Sequence, residues 1–159
     1  MRLIAIQKVV SGALQGVLAA LVVLPLGRLV MGPIPGLTLQ NAGLALGVTL
    51  LGSGVFASLG LLMGTIVSAM QIGLMFSIVI APMLMFGCAY YPWRGLDAVP
   101  FIKYGVLVNP LVYVAEGMRG AITPSLPHMP LPVAVGAMAV LCALFLVLGI
   151  RQFERRAMG

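Results

Sequence analysis

The sequence predicts an all-α fold: a polytopic transmembrane helical bundle of four spans, with two short interfacial helices before the last span. Its 159 residues are 62% hydrophobic and only 8% charged, whereas soluble domains carry about 25% charged residues. No Asp, Glu, Lys or Arg occurs at positions 9–27, 29–93 or 120–150. Because a spanning helix needs about 20 apolar residues, the middle gap is long enough for two spans and each outer gap for one.

Each predicted span lies between recognisable boundaries. The first follows a short lead with two bases and contains Pro25, which a lipid-embedded helix tolerates. The run Gly-Pro-Ile-Pro-Gly at 32–36 ends it, and polar residues at 68–71 form a tight hairpin after the second span. The third span contains Pro82, and a basic tail follows the fourth. The spans cover about residues 9–31, 41–67, 72–91 and 131–150.

An interfacial helical segment, residues 92–130, separates the last two spans. Asp97 is expected to cap its first short helix, with Pro100 in the opening turn. Asn109 and Pro110 open the second, since Asn is a favoured N-cap and Pro fits the first helical position. This helix is expected to run from Pro110 to Arg119 and to stop at Gly120. Neither helix is long enough to cross a membrane, so both should dip into the boundary or re-enter it.

The charge distribution predicts the orientation of the chain. Four spans place both termini on one side, with five bases in the first eight residues and the tail, against four bases on the other side. The positive-inside rule therefore favours cytoplasmic termini by a margin of one charge. The net charge of +6 does not indicate a nucleic-acid partner, because the bases are dispersed and several lie at span ends.

Three glycine pairs have the four-residue spacing that lets membrane helices approach closely. One interpretation is that glycine is simply frequent in membrane helices. The other is close packing within this chain or against a second copy. The pairs are Gly12 with Gly16, Gly43 with Gly47, and Gly60 with Gly64.

The sequence offers little catalytic chemistry. It contains no phosphate-binding loop, and one His with three acids cannot build a zinc protease site, so we predict no catalytic residue and no metal. Tyr113, Glu116 and Arg119 share one helix face, where Glu116 and Arg119 can pair. The pair either fixes this helix at the interface or acts in a gate or headgroup contact. Arg28 either snorkels to lipid headgroups or contacts an anionic substrate or lipid.

The order of motifs in the second half of the chain is similar to that of a known family. Phe-Gly-Cys-Ala-Tyr-Tyr-Pro at 86–92 is followed by Asn-Pro-Leu-Val-Tyr at 109–113, by Glu-Gly-Met-Arg at 116–119, and by the basic tail at 151–156. This arrangement resembles the C-terminal part of the membrane (permease) subunit of the type-2 ABC transporter exporter family. The resemblance covers about 75 residues.

The resemblance implies a permease of the inner (plasma) membrane that moves a drug-like, lipid or polysaccharide substrate out of the cell. It implies six spans per subunit, a second permease copy or homologue in a homodimer or heterodimer, and a separate ABC ATPase subunit. ATP and Mg would bind that ATPase, so this chain binds no cofactor and is not an enzyme. Membrane lipid surrounds it. With four predicted spans, the chain is expected to be an incomplete permease that lacks two N-terminal spans.

The resemblance also assigns the interfacial helices to the outward-facing side. Asn109, Pro110, Tyr113, Glu116 and Arg119 would form the outer gate there, mainly as structural residues. The alternative function is a non-transporting small integral membrane scaffold or assembly factor, which would use its glycine faces to hold partners.

Overall fold

The computed structural model describes residues 2–32 and 38–158, without the side chains at 28, 31, 39, 40, 69, 157 and 158. These residues form helices and turns, and no strand occurs among them. The predicted breaker at 32–36 lies almost wholly outside the described residues. The helices are α1 (Arg2–Met31), α2 (Leu39–Ile66), α3 (Ile72–Met85), α4 (Pro100–Gly105), α5 (Pro110–Ile122) and α6 (Leu131–Met158).

Three of the described helices, α1, α2 and α6, are long and apolar enough to cross a membrane. They cover the predicted first, second and fourth spans. Helix α1 begins at Arg2 rather than near residue 9, so the basic segment predicted to precede the first span is part of the helix. Pro25 lies inside the helix, as expected. Helix α6 continues through the basic tail to Met158. The all-helical membrane fold predicted from the composition is therefore confirmed.

The third predicted span, 72–91, is shorter than expected. Its helix α3 ends at Met85 and has 14 residues, or about 21 Å at about 1.5 Å per residue, against a hydrocarbon core of about 30 Å. A π-helical turn at Phe76–Ile80 widens it just before Pro82. The chain then turns at Cys88, which has a φ of +54°. Hydropathy alone could not show this end, because the turn is as apolar as the helix.

The first described turn of α1 and the last turns of α6 lie at one end of the bundle, here called the terminal end. Arg2 at the start of α1 pairs with Glu154 near the end of α6, with 2.6 Å between Nε and Oε1. Arg156 donates a 2.8 Å hydrogen bond to the carbonyl of Thr65, in the last turn of α2. Helix α1 is thus antiparallel to α2 and α6. The two chain ends therefore lie at the same end of the bundle, and the side of the membrane that they face stays a prediction.

The glycine pair of α1 packs that helix against α2. A methyl group added at Gly12 would lie 3.3 Å from Ala57 Cβ, and one added at Gly16 would lie 2.8 Å from Ser53 Oγ. The interpretation that the glycines allow close packing within the chain is therefore confirmed for Gly12 and Gly16. The other two pairs, on α2, have open space beside them in the described part of the chain.

Replacing Gly16 with Leu should separate α1 from α2, because the new side chain has no room beside Ser53. Overpacking of this kind costs about 1–3 kcal/mol. We expect a lower free energy of unfolding for Gly16→Leu in detergent micelles. Gly27→Leu is the matched control on the same helix, since Gly27 has open space beside it. Equal stability of the two variants would contradict this packing.

Candidate functional site

The interfacial segment folds into a short 3₁₀ turn (Trp93–Leu96), α4, a second 3₁₀ turn (Val106–Val108) and α5. The prediction that Asp97 caps the first helix is wrong. Val99 precedes α4 without a side-chain cap, and the Asp97 carboxylate instead pairs with Lys103 one turn into α4. The capping rule considers only the backbone N–H groups at the start of the helix, whereas here the Lys103 ammonium group binds the Asp97 carboxylate.

Helix α5 begins where the sequence predicts and ends later. The Asn109 side chain accepts a 2.9 Å hydrogen bond from the backbone N–H of Leu111, as an N-cap does. The helix passes Gly120 and ends at Ile122. Gly120 therefore lies inside the helix, and a methyl group added there would be in ordinary van der Waals contact with the His128 ring, at 3.4 Å.

Asn109 also connects α5 to the end of α3. Its side-chain amide donates a 2.7 Å hydrogen bond to the carbonyl of Met83, in the last turn of α3. The last carbonyls of a helix have no partner within it, and the Asn109 amide supplies one. Asn109 therefore joins two helix ends, and Pro110 is buried beside it.

The Glu116 carboxylate is the centre of the site. Its side chain is fully buried and both of its oxygens have donors. Oε1 accepts a 2.9 Å hydrogen bond from the Trp93 backbone N–H and pairs with Arg119, and Oε2 accepts a 2.6 Å bond from the Met129 N–H. A buried charge is costly unless it is paired and hydrogen-bonded. This arrangement meets both conditions and ties α5 to the segments before α4 and before α6.

Arg119 extends the network to the turn after α3. Its guanidinium donates a 2.9 Å hydrogen bond to the carbonyl of Cys88, and a longer one of 3.4 Å to that of Ala89. Cys88 is buried and adopts the left-handed conformation, which is uncommon outside glycine. The predicted pairing of Glu116 with Arg119 is present, and it joins four parts of the chain.

The other predicted site residues are placed differently. The Tyr113 hydroxyl donates a 2.8 Å hydrogen bond to the carbonyl of Leu107, so it fixes the start of α5 to the preceding turn. Arg28 lies in α1, but its side chain is outside the described part of the structure, and its contact with headgroup or substrate stays a prediction.

Helix α5 enters the bundle instead of lying across its end. A methyl group at Gly117 would lie 3.3 Å from both Met138 on α6 and Val48 on α2. Val48 lies nine residues beyond the start of α2, which is about 14 Å along the helix at about 1.5 Å per residue. Helix α5 is therefore packed between α2 and α6, inside the bundle.

An apolar cleft opens beside this element, between α3 and the α2–α6 pair. Its volume is about 680 Å³, and residues of α4 and of the start of α5 form part of its lining. Its lining includes Leu59, Met63, Val79, Met83, Phe101 and Phe145. No group of three His, Cys, Asp or Glu that could hold a metal occurs in the described ranges. The cleft suits an apolar or amphiphilic molecule and offers no reactive side chain.

The sequence did not indicate four partners of the ion pair. They are the backbone groups of Cys88, Ala89, Trp93 and Met129. Backbone donors and acceptors have no sequence signature, and these are 13 to 31 positions away from the side chains they contact.

Comparison with known proteins identifies a family. A family model described as "ABC-2 type transporter" matches residues 2–123, which includes α1 to α5 and ends one residue beyond α5. No curated protein and no solved structure matches the chain. The match thus covers the ion pair on α5 but not the basic tail.

Replacing Glu116 with Ala should strongly destabilise the protein, because it leaves the Arg119 guanidinium and two backbone N–H groups without their acceptor. Breaking a buried pair in this way costs about 3–5 kcal/mol. Asp97→Ala is the matched control, since the Asp97 side chain is 65% exposed and such pairs contribute about 1 kcal/mol or less. We would measure unfolding in mixed micelles. Similar losses for both variants would show that Glu116 does not hold the segments together.

Proposed function

The chain belongs to the ABC-2 type transporter membrane family, and from this we propose that it is the permease subunit of an ATP-driven exporter. Its substrate would be a drug-like molecule, a lipid or a polysaccharide, moved out of the cell. A separate ABC ATPase subunit would bind ATP and Mg. The observation that supports this most directly is the family match over residues 2–123.

In this proposal the interfacial segment forms the outer gate of the transport path. Asn109, Pro110, Tyr113, Glu116 and Arg119 would form the outer gate, at the end of the bundle opposite the termini. Their contacts are with the protein's own backbone and with each other. In this proposal they hold the gate's shape, and the apolar cleft beside α3 supplies the surface that an amphiphilic substrate contacts.

The ATPase that would supply the energy is proposed to bind at the terminal end. The termini would face the cytoplasm of a cell with this protein in its inner membrane, and the ATPase would bind there. A second permease copy or homologue would complete the transporter. Motion at the cytoplasmic ends of α1, α2 and α6 would reach the outer gate through α2, which contacts α1, α5 and α6.

Purification from native membranes in mild detergent tests the exporter against the scaffold. We expect a second polypeptide in equal amount that is labelled by azido-ATP, together with ATP hydrolysis that vanadate inhibits. If the chain repeatedly purifies in its folded state without an ATP-binding partner, the exporter assignment is wrong and the scaffold is favoured.

Cysteine labelling tests the proposed orientation. Ser125 lies in an exposed turn after α5, and Arg155 is exposed near the end of α6. In a background without Cys88 and Cys142, a membrane-impermeant maleimide added to intact cells should label Ser125→Cys. Arg155→Cys should react only after the membrane is permeabilised. The reverse pattern would place the termini outside and contradict the proposed orientation.

A further inference from the structure

A crevice at the terminal end lies between α1, α2 and α6. Its volume is about 460 Å³, within the range of about 300–1,000 Å³ that small-ligand sites occupy. Gly60 and Gly64 form part of its wall and have open space beside them. Gly12, Ala57, Leu61 and Phe153 complete an apolar lining, and Lys8 and Thr65 are the polar residues.

Cations border the polar end of this crevice. Lys8 lines it from α1 and has no hydrogen bond or ion pair within the described residues. Arg156 approaches from α6, where its guanidinium bonds the Thr65 carbonyl. The acid in this region, Glu154, is paired with Arg2. The first eight residues and the tail hold five bases and one acid, a net charge of +4.

We propose that this crevice binds one anionic phospholipid from the surrounding leaflet. The acyl chain lies along Gly60 and Gly64, and the phosphate contacts Lys8 with Arg156 nearby. Basic pockets between transmembrane helices are suited to anionic headgroups, and the open glycine faces leave room for a chain. The proposal assumes only that the protein resides in a membrane, where phospholipid is available. It does not depend on the transport activity proposed above.

Charge favours a lipid over a second copy of the chain in this crevice. A symmetric dimer brings the same surface of both copies together, so Lys8 and Arg156 of one copy would approach those of the other. Like charges repel most strongly where water is scarce. An anionic headgroup has the opposite charge, and an acyl chain matches the apolar lining.

Native mass spectrometry of the full chain in detergent tests the proposal. The probes are phosphatidylglycerol and phosphatidylcholine with identical acyl chains. We expect one phosphatidylglycerol to bind in preference to phosphatidylcholine. Lys8→Gln should reduce this preference about fivefold, the factor equivalent to about 1 kcal/mol for one basic side chain near an anionic surface. Gly64→Leu should weaken binding of both lipids by filling the crevice.

Matched variants at the other end of the molecule separate this site from general charge effects. Arg94→Gln removes one exposed positive charge there, and Gly43→Leu fills open space elsewhere on α2. Neither should change lipid binding. The proposal is overturned if phosphatidylcholine binds equally well, if Arg94→Gln lowers the preference as much as Lys8→Gln does, or if Gly64→Leu leaves binding unchanged. Loss of a dimer mass in Gly64→Leu would instead assign the crevice to a second copy.

Discussion

The interfacial segment depends on one buried carboxylate. Glu116 lies where water is excluded, and its charge is tolerable only because three donors converge on it. Those donors come from separate parts of the chain, and Arg119 adds the turn after α3. The requirement to satisfy this one charge therefore fixes the relative positions of the α3 turn, the Trp93 turn, α5 and the start of α6.

Glycine provides the complementary constraint, because it decides where the backbones can meet. Gly16 brings α1 against α2, and Gly117 lets α5 lie between α2 and α6. Helix α3 has no comparable contact. It approaches α2 and α6 at few points among the described residues, and Asn109 and Arg119 hold its end and the turn beyond it. The apolar cleft lies between α3 and the α2–α6 pair, where α3 makes few contacts along its length.

The sequence predicted the fold where a local pattern controls it. Charge gaps located α1, α2 and α6, Asn109 with Pro110 located the start of α5, and three-residue spacing identified the ion pair. It failed where the deciding contact is distant or the chain is uniformly apolar. Lys103 takes the Asp97 carboxylate, and the end of α3 at Met85 has no polar marker. The backbone partners of Glu116 follow only from the assembled bundle.

The two ends of the bundle use their charges in opposite ways. At the interfacial end, Glu116 and Arg119 have their polar atoms satisfied inside the protein, and separating them would leave a buried charge uncompensated, at about 3–5 kcal/mol. The segments that they join therefore move together. At the terminal end the bases outnumber the acids and most are exposed, so their interactions with lipid or protein can change at little cost. A conformational change that begins at the terminal end would thus meet a rigid interfacial unit, to which the last turn of α3 is joined through the Met83 carbonyl.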